Sequence, residues 1–203
     1  MTLLPPEPHL TLRAGDALLV VDVQNDFLPG GSLAVPGGET IVPVLNCYLE
    51  AFTAKRLPVV ATRDWHPVGH SSFADQGGPW PAHCVQQTPG SAFAPGLALP
   101  PLATIISKGI QQGQDAYSGF QGTDLVARLH TLGIRRVFIG GLATDYCVLN
   151  TVKDALAEGL TVYLLKDAIR AVNVEPQDGA KAEEEMVRLG AVPIRFEHLA
   201  DGP

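Results

Sequence analysis

Short apolar runs alternate along the chain with segments whose apolar residues recur at helical spacing, as is typical of βαβ units and a mostly parallel sheet. The runs predict six strands, at Ala17–Val21, Val59–Ala61, Thr104–Ser107, Val137–Ile139, Thr161–Leu165 and Val192–Ile194. The helical spacing predicts four helices, at Glu39–Lys55, Thr123–Leu132, Thr144–Glu158 and Asp178–Leu189. We therefore expect a three-layer α/β/α fold on a six-stranded, mostly parallel sheet.

The length of 203 residues and the hydrophobic content of 46% suit one compact domain with a substantial core. We assign residues 16–203 to this domain. Residues 1–15 contain two adjacent prolines and are expected to form a loosely attached N-terminal arm. They lack the basic and apolar segments of a signal peptide, and no apolar run in the sequence approaches membrane-spanning length.

Charge and cysteine content narrow the class of partner. The formal net charge of −7 gives no sign of binding to nucleic acid or to an anionic membrane, so a small-molecule ligand is favoured. The three cysteines, Cys47, Cys84 and Cys147, are far apart and cannot all pair. We interpret them as reduced thiols in a cytoplasmic protein.

A connection of about forty residues, from Arg63 to Ala103, breaks the βαβ pattern. It holds both tryptophans and three of the six histidines, which favours a functional loop over a disordered one. Ligands of open α/β sheets bind beyond the carboxyl ends of the strands. Polar residues follow four predicted strands at that edge, namely Asp22, Asp64, Lys108 and Cys147. We expect these four side chains to converge.

Cys147 closes the stretch G-L-A-T-D-Y-C (141–147), which leads from a predicted strand into a helix that Thr144 or Asp145 can cap. The positive end of a helix favours a thiolate, so we expect a lowered pKa for the Cys147 thiol. The alternative is an inert, buried core cysteine.

Asp64 and His66 lie two residues apart, so their side chains point to the same side of an extended segment. His70 and His83 follow in the same loop. Two histidines and a carboxylate suit zinc, iron(II) or manganese and leave coordination positions open. The alternative is that these histidines cap turns.

Asp22 and Lys108 each end a predicted strand. A partly desolvated Asp22 can act as a general base toward a nearby thiol, and the Lys108 cation would favour both a thiolate and an anionic intermediate. The alternatives are a turn-capping aspartate and an ordinary surface lysine.

Together these residues resemble the nicotinamidases, within the isochorismatase-like cysteine hydrolase superfamily. The resemblance runs from Ala17 to Ile194 and rests on several separated motifs in the same order. These are D-V-Q-N-D-F (22–27), T-R-D-W-H-P-V-G-H-S-S-F-A (62–74), W-P-x-H-C (80–84), S-K-G (107–109), A-Y-S-G-F (116–120) and G-L-A-T-D-Y-C-V (141–148).

The resemblance implies an isochorismatase-like hydrolase fold with Asp22, Lys108 and Cys147 as the catalytic triad. It also implies one bound divalent metal, zinc foremost, with iron or manganese as alternatives. The implied ligands are Asp64, His66 and His83, together with His70, whose position ligates metal only in some relatives. An oxyanion hole would come from the backbone N–H groups of Ala143 and Cys147, with a cis peptide between Leu142 and Ala143. Aromatic pocket walls would be Phe27, Trp80 and Tyr117.

The implied reaction is the hydrolysis of nicotinamide to nicotinic acid and ammonia through a thioester, as in NAD salvage, and pyrazinamide is an expected second substrate. The oligomeric state stays open, with a homo-oligomer as one arrangement. The sequence departs from the family at Gln87, where relatives often have glycine. Residues 110–115, at the expected pocket rim, belong to a stretch whose sequence and length vary within the family. Two other readings remain: a metal-free amidohydrolase of carbamoyl or ureido substrates, and a non-catalytic metal-binding or thiol-redox protein.

Overall fold

The computed structural model describes residues 10–200, and within that range it has six β-strands and four α-helices. The strands are β1 (Asp16–Val21), β2 (Val59–Asp64), β3 (Thr104–Lys108), β4 (Arg136–Leu142), β5 (Thr161–Arg170) and β6 (Val192–Ile194). The helices are α1 (Ile41–Ala54), α2 (Leu125–Thr131), α3 (Leu149–Ala157) and α4 (Asp178–Arg188). Every strand and helix expected from the sequence is present, β6 with the predicted bounds and the others with shifted ends.

The strands form one sheet in the order β3-β2-β1-β4-β5-β6, and every pairing between them is parallel. From β1, strands β2 and β3 are added on one side of the sheet, and strands β4, β5 and β6 are added on the other side. The gap beyond the carboxyl ends of β1 and β4 is the switch point where ligands of doubly wound sheets bind.

Apolar residues alternate between the two faces of the sheet. Leu18 and Val20 of β1 pack on the α1 side, in one cluster of buried residues. Leu19 and Val21 pack on the opposite side, in a second cluster that includes residues of α2, α3 and α4. Because both faces are covered, the central strands need apolar side chains on each face, which explains their continuous apolar runs. The expected three-layer fold is confirmed.

β5 extends to Arg170, five residues beyond its predicted end at Leu165. After a shift in register, its last residues pair with the last residues of β4, Ile169 with Gly141 and Arg170 with Leu142. The extension brings the following segment over the carboxyl edge of the sheet.

The helix predicted from Thr144 begins instead with a π-helical turn, Thr144–Val148, which precedes α3. The residue that precedes this turn is Ala143, and no side chain caps it. The prediction of a Thr144 or Asp145 cap is wrong because the Asp145 carboxylate accepts the N–H groups of Val172 and Asn173, at 3.0 and 2.8 Å. Asp145 thus fastens the segment after β5 to the start of the helix.

Residues 10–15 lie against the domain, so the expectation of a loosely attached arm is wrong for them. Leu10 exchanges backbone hydrogen bonds with His198 and Ala200, at 2.7 and 3.1 Å, and Leu12 is buried. The rest of the predicted arm, residues 1–9, lies outside the described residues. Between residues 10 and 200, no helix has the length and apolar content needed to cross a membrane.

The long connection between β2 and β3 is held in place by β-bridges within the loop and by hydrogen bonds to the rest of the domain. His66 pairs with Val85, and Phe73 pairs with Trp80. The side-chain amide of the buried Gln24 donates to the carbonyl oxygens of Asp64 and Ser91, at 2.8 and 2.9 Å. These contacts hold the loop over the carboxyl ends of the strands.

Candidate active site

Four strand ends bring four reactive side chains together. Asp22 follows β1, Asp64 and Lys108 end β2 and β3, and Cys147 lies in the π-helical turn after β4. The Nζ atom of Lys108 lies 2.8 Å from Asp22 Oδ2, 2.5 Å from Asp64 Oδ1 and 3.5 Å from Cys147 Sγ. All four residues are buried. The convergence expected from the sequence is therefore present in the fold.

The close approach of β1 and β4 depends on Gly141. Its φ of 131° is unfavourable for residues with a side chain, and a Cβ there would overlap the backbone of Val21. Because Val21 directly precedes Asp22 and Gly141 lies in the strand that leads to Cys147, this approach brings the carboxylate and the thiol together.

The Asp22 carboxylate has one satisfied oxygen and one open oxygen. Thr62 donates its hydroxyl to Oδ1 at 2.6 Å. Oδ2 is near the Lys108 ammonium, but it accepts no hydrogen bond of good geometry within residues 10–200. Burial raises the pKa of Asp22 and outweighs the opposing effect of Lys108. The open oxygen can therefore accept a proton.

The pKa of the Cys147 thiol is raised, so the expectation of a lowered value is wrong. Burial is the main cause, and it outweighs the attraction of Lys108, while the carboxylates of Asp22 and Asp64 add to the rise. A helix start alone does not decide the protonation state when the sulfur is desolvated. The resting side chain is a thiol that needs a base to remove its proton.

Lys108 stays a cation although it is fully buried. Burial lowers the pKa of Lys108, but Asp22 and Asp64 outweigh that effect and raise it well above the ordinary value. Its ammonium group also donates to the carbonyl oxygen of Ala116 at 3.1 Å. The surface-lysine alternative is therefore wrong.

Asp64, His66 and His83 form a cluster whose ligand atoms all lie within 4.8 Å of one another. The Nε2 atoms of His66 and His83 are 3.7 and 3.9 Å from Asp64 Oδ2. Their Nδ1 atoms are 3.1 and 2.8 Å from the carbonyl oxygens of Gly109 and Pro81. A carbonyl can only accept, so each Nδ1 carries the hydrogen and each Nε2 offers a lone pair toward Asp64.

The protonation states of His83 and Asp64 suit metal binding. Burial lowers the pKa of His83, which keeps the imidazole neutral. The pKa of Asp64 is lowered because Lys108 and the neighbouring histidines together outweigh burial, so its carboxylate is ionised. One carboxylate and two imidazole nitrogens are ligands that divalent transition metals prefer, and the cluster fits such an ion.

His70 lies beside this cluster with both ring nitrogens engaged. Its Nδ1 is 2.7 Å from the hydroxyl oxygen of Ser72, and its Nε2 is 3.2 Å from the carbonyl oxygen of Gln114. The ring packs on His66, with 4.2 Å between ring centroids. The structure thus places His70 against His66, where it links the loop to residues 110–116.

A pocket opens from Cys147 toward the surface, and the three aromatic residues expected from the sequence line it. The indole N–H of Trp80 donates to the Tyr117 hydroxyl at 2.9 Å. The complete lining is Phe27, Leu33, Asp64, Trp80, His83, Tyr117, Ala143, Tyr146, Cys147 and Val172. Ala143 follows a cis peptide bond from Leu142, as the resemblance implied. The pocket is therefore lined by the thiol, by the expected oxyanion-hole residues and by Asp64 and His83 of the candidate metal site.

The sequence interpretation missed four residues that build this site. Tyr146 packs edge-on against Trp80 in the pocket wall, with 4.9 Å between ring centroids. The buried Phe73 contacts the rings of His66, His70 and His83. The other two are Thr62, already described, and Gln24, whose Oε1 accepts the Asp64 N–H at 2.8 Å. All four lie within or beside the quoted motifs, but only the fold shows which way each side chain points.

The profile of the isochorismatase domain matches residues 16–197. The chain belongs to the isochorismatase family.

Among its relatives, the chain is similar to a nicotinamidase of Escherichia coli, with 41% identity over 86% of this chain and 92% of the relative. It also resembles the pyrazinamidase of Pyrococcus horikoshii in complex with zinc. That structure has 50% identity and a TM-score of 0.86, and the match covers 90% of this chain and 99% of the other. The PnC1 protein of L. infantum in complex with nicotinate has 38% identity and a TM-score of 0.87, over 95% and 98%.

Proposed function

We propose that this protein is a metal-dependent nicotinamidase that hydrolyses nicotinamide to nicotinic acid and ammonia and also deamidates pyrazinamide. One observation carries the proposal: the base, cation and thiol formed by Asp22, Lys108 and Cys147 meet at the bottom of an aromatic pocket beside a three-ligand metal cluster. Such an enzyme acts in NAD salvage, on a small-molecule substrate.

The first half of the reaction forms a thioester. Asp22 takes the proton of the Cys147 thiol through its open Oδ2 atom, and the sulfur attacks the carboxamide carbon. The backbone N–H groups of Ala143 and Cys147 hold the oxyanion, and the Lys108 ammonium stabilises the negative charge nearby. Asp22 then passes its proton to the departing nitrogen, and ammonia leaves.

The second half releases the acid. Asp22 takes a proton from a water molecule, whose oxygen attacks the thioester carbon. The carbon–sulfur bond breaks, nicotinic acid forms, and the proton returns to the Cys147 sulfur. One carboxylate thus acts as base and acid in both halves, which requires the raised pKa described above for Asp22.

Asp64, His66 and His83 hold the metal, for which zinc is the proposed identity and iron and manganese are the alternatives. When bound, the ion would supply a Lewis-acidic position for the pyridine nitrogen and so help to orient the ring. The donor chemistry of the cluster supports this assignment, as does the zinc complex of the Pyrococcus horikoshii relative. His70 supports the cluster from behind rather than ligating the ion.

Phe27, Trp80 and Tyr117 contact the substrate ring in this proposal. The free thiols of Cys47, Cys84 and Cys147 support a reducing compartment, and we place the enzyme in the cytoplasm. We also propose that residues 16–203 act as a single domain.

Three amides test the role of the ring nitrogen. Benzamide has the carboxamide of nicotinamide without the nitrogen, so its kcat/KM should fall by roughly two to four powers of ten, because a polar site rejects an analogue that leaves it unpaired. Pyrazinamide keeps that nitrogen and should be hydrolysed well. The measurement is ammonia release, with Cys147→Ala as the inactive control. Benzamide hydrolysis within a few-fold of nicotinamide hydrolysis would contradict the proposed orientation.

Metal removal tests the competing carbamoyl or ureido hydrolase, which would need the triad but no metal. Prolonged chelation should abolish nicotinamide hydrolysis, and addition of zinc should restore it, because three protein ligands leave exchangeable positions. His66→Ala should lose both metal and activity. Full activity in protein that elemental analysis finds free of metal would favour the metal-free alternative.

A further inference from the structure

A second set of donor atoms lies beside the metal cluster. Asp22, Asp64 and Cys147 are all buried, and their ligand atoms, like those of Asp64, His66 and His83, lie within 4.8 Å of one another. Two carboxylates and a thiolate form a ligand set that zinc and cobalt(II) bind well. Asp64 belongs to both sets, so the fold contains two adjacent cation positions that share one carboxylate.

The second position is filled by a side chain. The Lys108 ammonium lies 2.8 Å from Asp22, 2.5 Å from Asp64 and 3.5 Å from Cys147, and so contacts every member of the set. Asp64 divides its two oxygens between the positions. Its Oδ1 contacts Lys108, whereas its Oδ2 faces the Nε2 atoms of His66 and His83.

We propose that Lys108 acts as a tethered cation that keeps divalent metals away from the Cys147 thiol. The arrangement resembles a carboxylate-bridged two-metal site, in which ions lie about 3.5–4 Å apart, with an ammonium group in place of one ion. The single ammonium offsets part of the negative charge of the two carboxylates, but it forms no coordinate bond to sulfur. The thiol therefore stays available for attack. The positions of the donor atoms do not depend on the proposed function. The inference rests on that function only in taking Cys147 as the nucleophile.

Displacement of the ammonium by a dissolved ion is unfavourable for two reasons. Lys108 is also held by the carbonyl oxygen of Ala116, at 3.1 Å, so its position is fixed from a fourth side. Moreover, an ion that took its place would leave a buried cation without partners, which is strongly destabilising. The proposal thus predicts one metal per chain in the wild-type protein and a new metal site when the lysine is removed.

Cobalt(II) binding distinguishes the two positions, because cobalt bound to a thiolate absorbs strongly in the near ultraviolet and cobalt bound only to nitrogen and oxygen does not. The wild type should bind one cobalt per chain without this absorption. Lys108→Ala should bind two and show it. The absorption should vanish in Lys108→Ala combined with Cys147→Ala. Lys166→Ala, which removes a partly exposed lysine paired with Glu183, is the matched control and should behave as the wild type does.

Three results would overturn the proposal. One is thiolate absorption in the wild type at saturating cobalt, and another is a single cobalt without absorption in folded Lys108→Ala. If Lys108→Ala does not fold without metal, it is refolded in the presence of cobalt(II). The third overturning result is then that no folded protein with thiolate absorption is recovered. The readout is cobalt binding and not hydrolysis, so the role of Lys108 in excluding metal can be disproved while the proposed nicotinamidase function stands. A wild type that binds no cobalt would instead contradict the metal assignment.

Discussion

The two ends of β1 each carry a buried aspartate paired with a cation, and the two pairs differ in how completely they are satisfied. At the start, the Arg136 guanidinium donates to both oxygens of Asp16 at 2.6 Å, and the Arg13 N–H donates to one of them at 2.8 Å. At the end, Asp22 receives the Thr62 hydroxyl on one oxygen, and its other oxygen accepts no well-formed hydrogen bond from any described residue.

The difference separates stabilisation from chemistry. A carboxylate with both oxygens held by a bidentate guanidinium has no open oxygen, and it fixes the start of β1 against β4. A carboxylate with an open oxygen and a pKa raised by burial can take a proton and return it. The same residue type thus serves the fold at one end of the strand and, in the proposed mechanism, the reaction at the other.

The largest expected effect comes from exchanging each aspartate for asparagine. Asp22→Asn should lower kcat/KM for nicotinamide by about two to four powers of ten, because it removes the general base. Asp16→Asn should lower the free energy of unfolding by about 3 kcal/mol, since it leaves the Arg136 charge partly unpaired. Urea unfolding and ammonia release measure the two effects. Similar losses of both activity and stability in the two variants would break the comparison.

A smaller effect is expected at Thr62, whose hydroxyl holds Asp22 Oδ1 and so leaves Oδ2 open toward the thiol. Thr62→Val keeps the shape and removes the donor, and should lower kcat about tenfold to a hundredfold, as expected for a hydrogen bond to a charged group. Thr62→Ser keeps the donor and should restore most of the rate. KM should change little in either variant, because Thr62 does not line the pocket. Equal rate losses in both variants would point to packing by the methyl group instead.

The smallest effect concerns backbone strain at three residues on the site side of the sheet. Asp22, Cys84 and Gln87 all have positive φ values, of 49°, 46° and 65°. Glycine adopts this conformation without steric penalty, so Gln87→Gly should raise the free energy of unfolding by up to about 1 kcal/mol. Activity should be unchanged, since the exposed Gln87 lies outside the pocket.

Gln86→Gly is the matched control for this substitution. Gln86 has no positive φ, and its side-chain amide donates to the Trp65 carbonyl at 2.9 Å. The control should therefore lower stability. A stability gain in both variants, or in neither, would show that the φ of Gln87 is not the cause.

The sequence predicted the architecture well because strand ends and apolar periodicity are local signals. It also predicted that Asp22, Asp64, Lys108 and Cys147 would meet, since parallel strands align their carboxyl ends. The structure adds a reason why glycine would suit position 87, since Gln87 lies in the left-handed region, with a φ of 65°.

Other properties of the site depend on side-chain direction and burial, which no local pattern contains. The helix-start argument expected a lowered pKa for Cys147, but desolvation in the assembled site dominates. The use of Asp145 as a tether rather than a cap depends on the extension of β5, which appears only after the register shift beyond Ile139. The contributions of Thr62, Phe73 and Tyr146 likewise follow from where the fold directs them.

The order of the site residues along the chain has a consequence during synthesis. Lys108 contacts Asp64 and Cys147 across 44 and 39 residues, so the site cannot assemble until β4 has been translated. The carboxylates, the histidines and the lysine all precede the cysteine. The ribosome therefore produces this sulfur after Asp22, Asp64, Lys108 and the two cluster histidines, so a nascent chain never carries the thiol without those five side chains.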